Sequence, residues 1–234
     1  MAKPLVQVAL DCLDFDQTLA LARQAAPYVD IIEIGTPNLK HNGLALVKAV
    51  RAQHPDKLIM ADLKTMDAGY YEAEPFYKAG ADICTVLGTA DLGTIKGVVD
   101  VANAYGKQAQ VDLINVEDKA ARATEAAKLG AHIIGIHTGI DQQLAGQTPF
   151  ADLAALVALG LNVKVSVAGG IKQSTVQQVV KSGPDIVVVG GAITGSKAPE
   201  VSAREIRELV DAAAGGSASG NGGGLFGWLK KLVG

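Results

Sequence analysis

The chain has 234 residues, of which 49% are hydrophobic, only 4% are aromatic and 19% are charged, with a formal net charge of -3. A core of Ala, Val, Leu and Ile suits an α/β fold, and the nearly balanced charge leaves no electrostatic footprint for a nucleic-acid partner. The first residues, MAKPLVQVALD, are too short and too polar a stretch for a signal peptide or a membrane span, so we expect a cytoplasmic enzyme that acts on a small molecule.

Eight short β-branched runs alternate with longer segments that have the apolar spacing of helices. In chain order, the predicted strands span residues 5–11, 29–35, 57–64, 81–88, 107–115, 131–139, 162–170 and 185–193. Several of the intervening helices stop at a glycine just before the next strand, as expected of a helix end. Eight apolar strands that each need a covering helix predict a single-domain α/β fold, the (β/α)8 TIM barrel. The alternative is an open doubly wound sheet, which would place a glycine-rich motif after the first strand, where this chain has DCLDFD.

The composition changes after the last predicted helix. We divide the chain into a catalytic barrel at 1–214, a flexible Gly/Ser linker at 215–224 and a tail at 225–234. The apolar residues of the tail, LFGWLKKLVG, fall on one helical face, which is typical of a short amphipathic helix that binds a partner. The tail is an appended or engineered peptide, a helix that docks on another protein, or a membrane-surface anchor. Its two lysines attract anionic lipid only weakly, which ranks the anchor last.

Polar residues collect where the predicted strands end, and in a parallel barrel the active site lies at those ends. They are Asp11, Glu33, Asp62, Lys64, Asp112, Asn115 and His137. Alternation along a strand places Asp62 and Lys64 on the same side, and Asp67 follows on the loop. A lysine between carboxylates stays charged and can donate a proton or stabilise an oxyanion. Asp112 either joins this network or bonds a loop, and His137 is either a site residue or a structural histidine.

Two of these carboxylates come from neighbouring strands. Glu33 and Asp62 offer hard oxygen ligands for Mg²⁺, with Mn²⁺ as a substitute, and the cation would keep its other positions for water and substrate. A buried carboxylate is costly without a partner, which favours a function for Glu33 inside IIEIG. Glycine pairs close the last two strands, and their bare amides predict a phosphate site. These glycines are Gly169, Gly170, Gly190 and Gly191. The pattern predicts enediolate chemistry on a phosphorylated small molecule.

The motifs VALD, IIEIGTP, ADLKTMDAG, TVLG, GIHTGIDQQ, SVAGG and VVGGAITG follow one another along the predicted barrel. In this order they resemble the 3-hexulose-6-phosphate synthases of the orotidine monophosphate decarboxylase superfamily. The resemblance implies an Mg-dependent lyase that condenses formaldehyde with D-ribulose 5-phosphate to D-arabino-hex-3-ulose 6-phosphate. It also implies a metal held by Glu33 and Asp62. Proton handling would fall to Lys64, Asp67 and His137, and substrate placement to Asp11. A homodimer is implied as well, in which Asp67 reaches the neighbouring subunit.

Two other functions stay open at this point. The 3-keto-L-gulonate-6-phosphate decarboxylases share the metal carboxylates and the lysine motif, but they carry arginines at the positions of Ile140 and Gly191, which favours the synthase. Orotidine monophosphate decarboxylase itself uses no metal and has a lysine at the position of Glu33. The other alternative is a barrel that serves as a scaffold for the docking tail, and the intact catalytic pattern argues against it.

Overall fold

The computed structural model describes residues 3–215, and these form a closed barrel of parallel strands paired in chain order. The strands are β1 Leu5–Leu10, β2 Ile31–Ile34, β3 Leu58–Thr65, β4 Ile83–Leu87, β5 Gln108–Asp112, β6 Ile133–His137, β7 Lys164–Ala168 and β8 Ile186–Val189. Pairing of β1 with β8 closes the sheet, which confirms the TIM barrel and excludes the open doubly wound sheet. Most strands are shorter than predicted, because the outer residues of the apolar runs lie in the turns.

Helices follow the strands and cover the outside of the barrel. They are α1 Phe15–Ala25, α2 Thr36–Gln53, α3 Gly69–Ala79, α4 Leu92–Ala104, α5 Lys119–Lys128, α6 Ile140–Leu144, α7 Phe150–Ala158, α8 Val176–Lys181, α9 Gly191–Thr194 and α10 Pro199–Gly215. The predicted glycine stop is confirmed at Gly80, which has φ 110° and donates its N–H to the carbonyls of Phe76 and Tyr77. None of these helices is both long enough and apolar enough to cross a lipid bilayer.

The carboxyl-terminal segments predicted from the sequence fall almost wholly beyond the described residues. Helix α10 extends to Gly215, one residue past the predicted end of the barrel. The remainder of the predicted linker and the whole tail at 225–234 lie outside the described residues. The docking role of the tail therefore stays a prediction.

The residues of each strand alternate between two cores. Outward-facing residues such as Val6, Val8 and Leu10 pack against the helices. Inward-facing residues near the strand starts form a separate apolar cluster inside the barrel, consisting of Ile31, Met60, Ile83, Ile133, Ile186 and Val188. Because these side chains fill the amino-terminal part of the barrel interior, the inward-facing polar residues lie in the middle of the strands and at their carboxyl ends.

A repeated hydrogen bond closes the amino-terminal face. The residue just before each even-numbered strand accepts a backbone N–H from the preceding odd-numbered strand. The four acceptors are Asp30, Asp82, His132 and Asp185. Each bond fixes two neighbouring strands at the end opposite the predicted site, and this face of a barrel serves stability rather than chemistry. His132 therefore has a structural role in this face of the barrel.

Candidate active site

Side chains from the ends of β3 and β5 form an ion-pair network. Lys64 Nζ lies 2.7 Å from Asp62 Oδ2 and 3.0 Å from Asp112 Oδ2. Burial alone lowers the pKa of Lys64, but the two carboxylates outweigh it, and the net pKa is raised. Lys64 is therefore a fixed ammonium at neutral pH, and it lies on the same side of β3 as Asp62, as alternation predicts.

Asp112 also binds the histidine of β6. His137 Nδ1 lies 2.9 Å from Asp112 Oδ2. Burial raises the pKa of Asp112, but the hydrogen bond to His137 and the charge of Lys64 more than offset this effect. The net pKa of Asp112 is lowered to about 2. Burial lowers the pKa of His137, and the hydrogen bond and charge of Asp112 more than offset this, so that its net pKa is raised. Asp112 is therefore an ionised bridge between lysine and histidine. Its Oδ1 also accepts the N–H of Ile114 at 2.9 Å, so both roles that the sequence left open are present.

The bridge makes a pH-dependent prediction. We expect Asp112→Asn to lower the pKa of His137, because the substitution removes both a negative charge and its strong acceptor. In the unaltered protein the imidazolium stabilises the fold fully below its ordinary pKa of 6.5, and this contribution is lost as the pH rises through the raised value. NMR titration of His137, with thermal melts across the same pH range, measures both effects. In Asp100→Asn, which alters an exposed pair with Lys96, the titration of His137 should not move. An unchanged His137 titration in Asp112→Asn would contradict the assignment.

Glu33 is a third buried carboxylate, in addition to Asp62 and Asp112 of the network. Gln7 Nε2 donates to Glu33 Oε2 at 2.7 Å, and Gln7 is itself almost completely buried. Burial, followed by the charge of Asp62, raises the pKa of Glu33 to about 8. Two neighbouring buried carboxylates repel each other, and a cation bound between them would relieve that repulsion.

The donor set fits a magnesium ion better than a closed metal centre. Within residues 3–215, no three His, Cys, Asp or Glu side chains are grouped so that they could hold a metal. Glu33 and Asp62 would supply two oxygens. Mg²⁺ is usually held by one or two carboxylates and completes its octahedron with water and substrate oxygens.

Two threonines orient Asp62, and sequence reasoning missed both. Thr36 Oγ1 lies 2.8 Å from Asp62 Oδ2, and Thr85 Oγ1 donates to Asp62 Oδ1 at 2.7 Å. A signal was present for Thr85 and for Gln7, since each is a polar residue at an inward-facing position of an apolar strand. They were not predicted because the candidate site was inferred from polar residues at the strand ends, whereas Thr85 and Gln7 lie within their strands.

Asp67 does not join this cluster. It is exposed, its Oδ1 accepts the N–H of Ala68, and no ion pair to it occurs among the described residues. Strand β3 ends at Thr65, and the backbone has positive φ at Lys64 (47°) and at Ala68 (51°), so the regular alternation of the strand does not extend to Asp67. The close grouping of Asp62, Lys64 and Asp67 that the motif indicates therefore does not occur within one chain.

Asp11 lies at the rim, directly after β1. A Cβ at Gly35 would come within 2.0 Å of Asp11 Oδ1, so the glycine makes room for the carboxylate. The side chain is open to solvent on one side. Burial of its other side, and then the charge of Asp62, raise the pKa of Asp11. Asp11 is thus at the mouth, above the buried network.

The two glycine pairs differ in structure. Gly169 and Gly170 have φ 114° and 66°, and a Cβ at Gly169 would lie 2.4 Å from the carbonyl oxygen of Thr138, so the first pair requires glycine. Gly190 and Gly191 lead into α9, and a Cβ at Gly191 would meet no atom within 4 Å. The space beside Gly191 is open, and phosphate binding by either pair stays a prediction.

Comparison with known proteins bears on the whole barrel. Residues 4–206 match the sequence model of the family described as Orotidine 5'-phosphate decarboxylase / HUMPS. A 3-hexulose-6-phosphate synthase of Methylomonas aminofaciens is 66% identical over 206 residues, which are 88% of this chain and 99% of that protein. The crystal structure of the Salmonella typhimurium 3-hexulose-6-phosphate synthase has a TM-score of 0.87 and 39% identity, over 89% of this chain and 99% of the other. A 3-keto-L-gulonate-6-phosphate decarboxylase structure from Vibrio cholerae has a TM-score of 0.79 and 28% identity, over 90% and 99%.

Proposed function

The chain belongs to the Orotidine 5'-phosphate decarboxylase / HUMPS family, and we propose that its site condenses formaldehyde with D-ribulose 5-phosphate, as a 3-hexulose-6-phosphate synthase does. One observation carries this function, namely 66% identity to such a synthase over 99% of that protein's length. The chain is accordingly a lyase of the aldolase type. The decarboxylase is the weaker alternative, since its structures are 28% identical or less.

We assign proton exchange with the substrate to His137 and stabilisation of the negative oxygen to the ammonium of Lys64. Loss of the C1 proton of ribulose 5-phosphate gives an enediolate, whose C1 forms a bond to the carbon of formaldehyde. The oxygen of formaldehyde takes up a proton in return, so the reaction is a net addition. The ammonium of Lys64 can donate a hydrogen bond to the negative oxygen. His137 turns Nδ1 to Asp112, which leaves Nε2 for proton exchange with the substrate.

Glu33 and Asp62 would hold the divalent cation, Mg²⁺ or in its place Mn²⁺. When bound, the cation supplies positive charge to the oxygens of the substrate. The protein's own contribution is orientation, because Gln7 fixes Glu33 while Thr36 and Thr85 fix Asp62. Asp11, at the rim, lies where a substrate hydroxyl would enter.

A coupled formaldehyde assay tests the proposed function. Purified protein with Mg²⁺ should consume formaldehyde only when ribulose 5-phosphate is present, and NMR should identify the hex-3-ulose 6-phosphate that forms. A parallel reaction with chelator should stop, and added Mg²⁺ should restore it. Faster release of carbon dioxide from 3-keto-L-gulonate 6-phosphate than condensation of formaldehyde would assign the decarboxylase instead.

We further propose a homodimer in which Asp67 completes the site of the other copy. Asp67 lies apart from its own network, and the side chains around it include the exposed Met66, Tyr70 and Tyr71, the last of which is 83% exposed. Exposed apolar side chains of this kind are typical of a surface that binds another protein.

Mixed dimers test this arrangement. We expect Lys64→Ala and Asp67→Ala to be nearly inactive alone, and their mixture to regain roughly a quarter of the activity, because each mixed dimer holds one intact site. A mixture of Lys64→Ala with Asp62→Asn should regain nothing, since both residues belong to the same chain's site. Sedimentation that finds active monomers would overturn the shared site.

We place the reaction in the cytoplasm. The two cysteines, Cys12 and Cys84, are free thiols. Free thiols suit a reducing compartment, where disulfides are rare.

A further inference from the structure

A single buried hydroxyl of β4 binds two parts of the catalytic strand β3. Thr85 Oγ1 donates to Asp62 Oδ1 at 2.7 Å and accepts the backbone N–H of Lys64 at 2.9 Å. An ionised carboxylate only accepts and an amide N–H only donates, so the hydroxyl's single proton has one possible direction. Thr85 is 1% exposed, and solvent therefore does not compete for either bond.

The backbone that Thr85 holds is unusual. Lys64 has φ 47°, a left-handed conformation that residues other than glycine seldom adopt. It lies in an irregularity of β3, where the pairing with β4 shifts register between Ala61 and Thr65. Bulges of this kind redirect side chains and often occur beside active sites. The hydroxyl of Thr85 supplies an acceptor for the Lys64 N–H within this irregularity.

Loss of the hydroxyl would affect both catalytic groups at once. Asp62 would lose one of its donors, and a buried N–H would lose its acceptor, which is an unfavourable state for either group. Without this acceptor the backbone at Lys64 could relax from its left-handed conformation, and the direction in which the Lys64 side chain leaves β3 would change.

We propose that Thr85 is a positioning residue that holds the cation ligand Asp62 and the ammonium of Lys64 in one fixed arrangement. This inference rests on the proposed function for its catalytic consequence, although the hydrogen bonds do not depend on it. In this role Thr85 acts through Asp62 and Lys64, to which its hydroxyl is bonded.

Three variants separate the hydroxyl from the shape of the side chain. Thr85→Val keeps the β-branched shape and removes the hydroxyl, whereas Thr85→Ser keeps the hydroxyl. Thr65→Val is the matched control, because the Thr65 hydroxyl is also buried in β3 but has no hydrogen-bond partner among the described residues. We expect Thr85→Val to lower kcat by about 100-fold, with a much smaller change in KM for ribulose 5-phosphate. Thr85→Ser should recover most of kcat, and Thr65→Val should leave it unchanged.

Two measurements do not require turnover. The dissociation constant for Mn²⁺, measured by EPR titration, should rise by about 10-fold in Thr85→Val, as expected when a group that orients a metal ligand is removed. Hydrogen exchange should show the Lys64 amide protected in the unaltered protein and in Thr85→Ser, but not in Thr85→Val.

Each alternative result overturns the positioning role. A folded Thr85→Val protein with normal kcat and normal Mn²⁺ affinity would do so. So would a loss of kcat in Thr85→Ser, or in the control Thr65→Val, that equals the loss in Thr85→Val. If the unaltered protein fails to condense formaldehyde, the proposed function fails. The exchange of the Lys64 amide then still decides whether Thr85 holds β3.

Discussion

Lys64→Ala should lower kcat by about 10²- to 10⁴-fold, the range expected for the loss of a positioned acid or base. The ammonium lies within 3.0 Å of two buried carboxylates, and no described side chain offers a second ammonium there. The assay is formaldehyde consumption in the presence of saturating ribulose 5-phosphate and Mg²⁺. A variant with more than a tenth of the original kcat would contradict the role of Lys64.

Stability must be measured in the same variant. Removal of Lys64 leaves Asp62 buried without a counter-ion and Asp112 with His137 as its remaining partner, and breaking a buried pair in this way costs about 3–5 kcal/mol. Circular dichroism and denaturant unfolding will show whether the protein stays folded under assay conditions. Lys64→Arg keeps the charge but moves the donor, so it should retain the fold and still lose turnover. Lys96→Ala, which removes an exposed lysine paired with Asp100, should change neither property.

Glu33→Gln should abolish divalent-cation binding and turnover while it stabilises the metal-free protein above neutral pH. Burial and Asp62 raise the pKa of Glu33 to about 8, so the folded protein retains a proton that the unfolded chain loses near 4.5. The stability of the metal-free protein therefore falls as the pH rises from about 4.5 to about 8. The neutral amide of glutamine removes this dependence.

Thermal melts between pH 6 and pH 9, with chelator or with Mg²⁺, measure both parts of this prediction. Mg²⁺ should raise the melting temperature of the unaltered protein, because a ligand that binds only the folded state stabilises it. It should have no such effect on Glu33→Gln. An exposed control, Glu117→Gln, should behave like the unaltered protein. Equal stabilisation of Glu33→Gln by Mg²⁺ would show that the cation binds elsewhere.

The barrel fold, and the end of the barrel that carries the polar residues, could both be predicted from the order of residues alone. Apolar runs at strand spacing and helices that stop at glycine depend on interactions within a few residues. Such local patterns can therefore be recognised from the sequence. The same reason applies to Glu33, Asp62 and Lys64. A charged residue at the end of an apolar strand is a local signal, which can be recognised before its contacts are known.

Which of these groups lie in contact became clear only from the folded barrel. Asp112 is 48 positions from Lys64 in the chain, and closure of the sheet brings the ends of β3 and β5 together. At the register shift in β3, where Lys64 is left-handed, Thr85 of β4 binds both Asp62 and Lys64, while Asp67 lies outside the cluster. Such contacts depend on the pairing register of neighbouring strands, which is set by packing across the whole barrel and leaves no local trace in the order of residues.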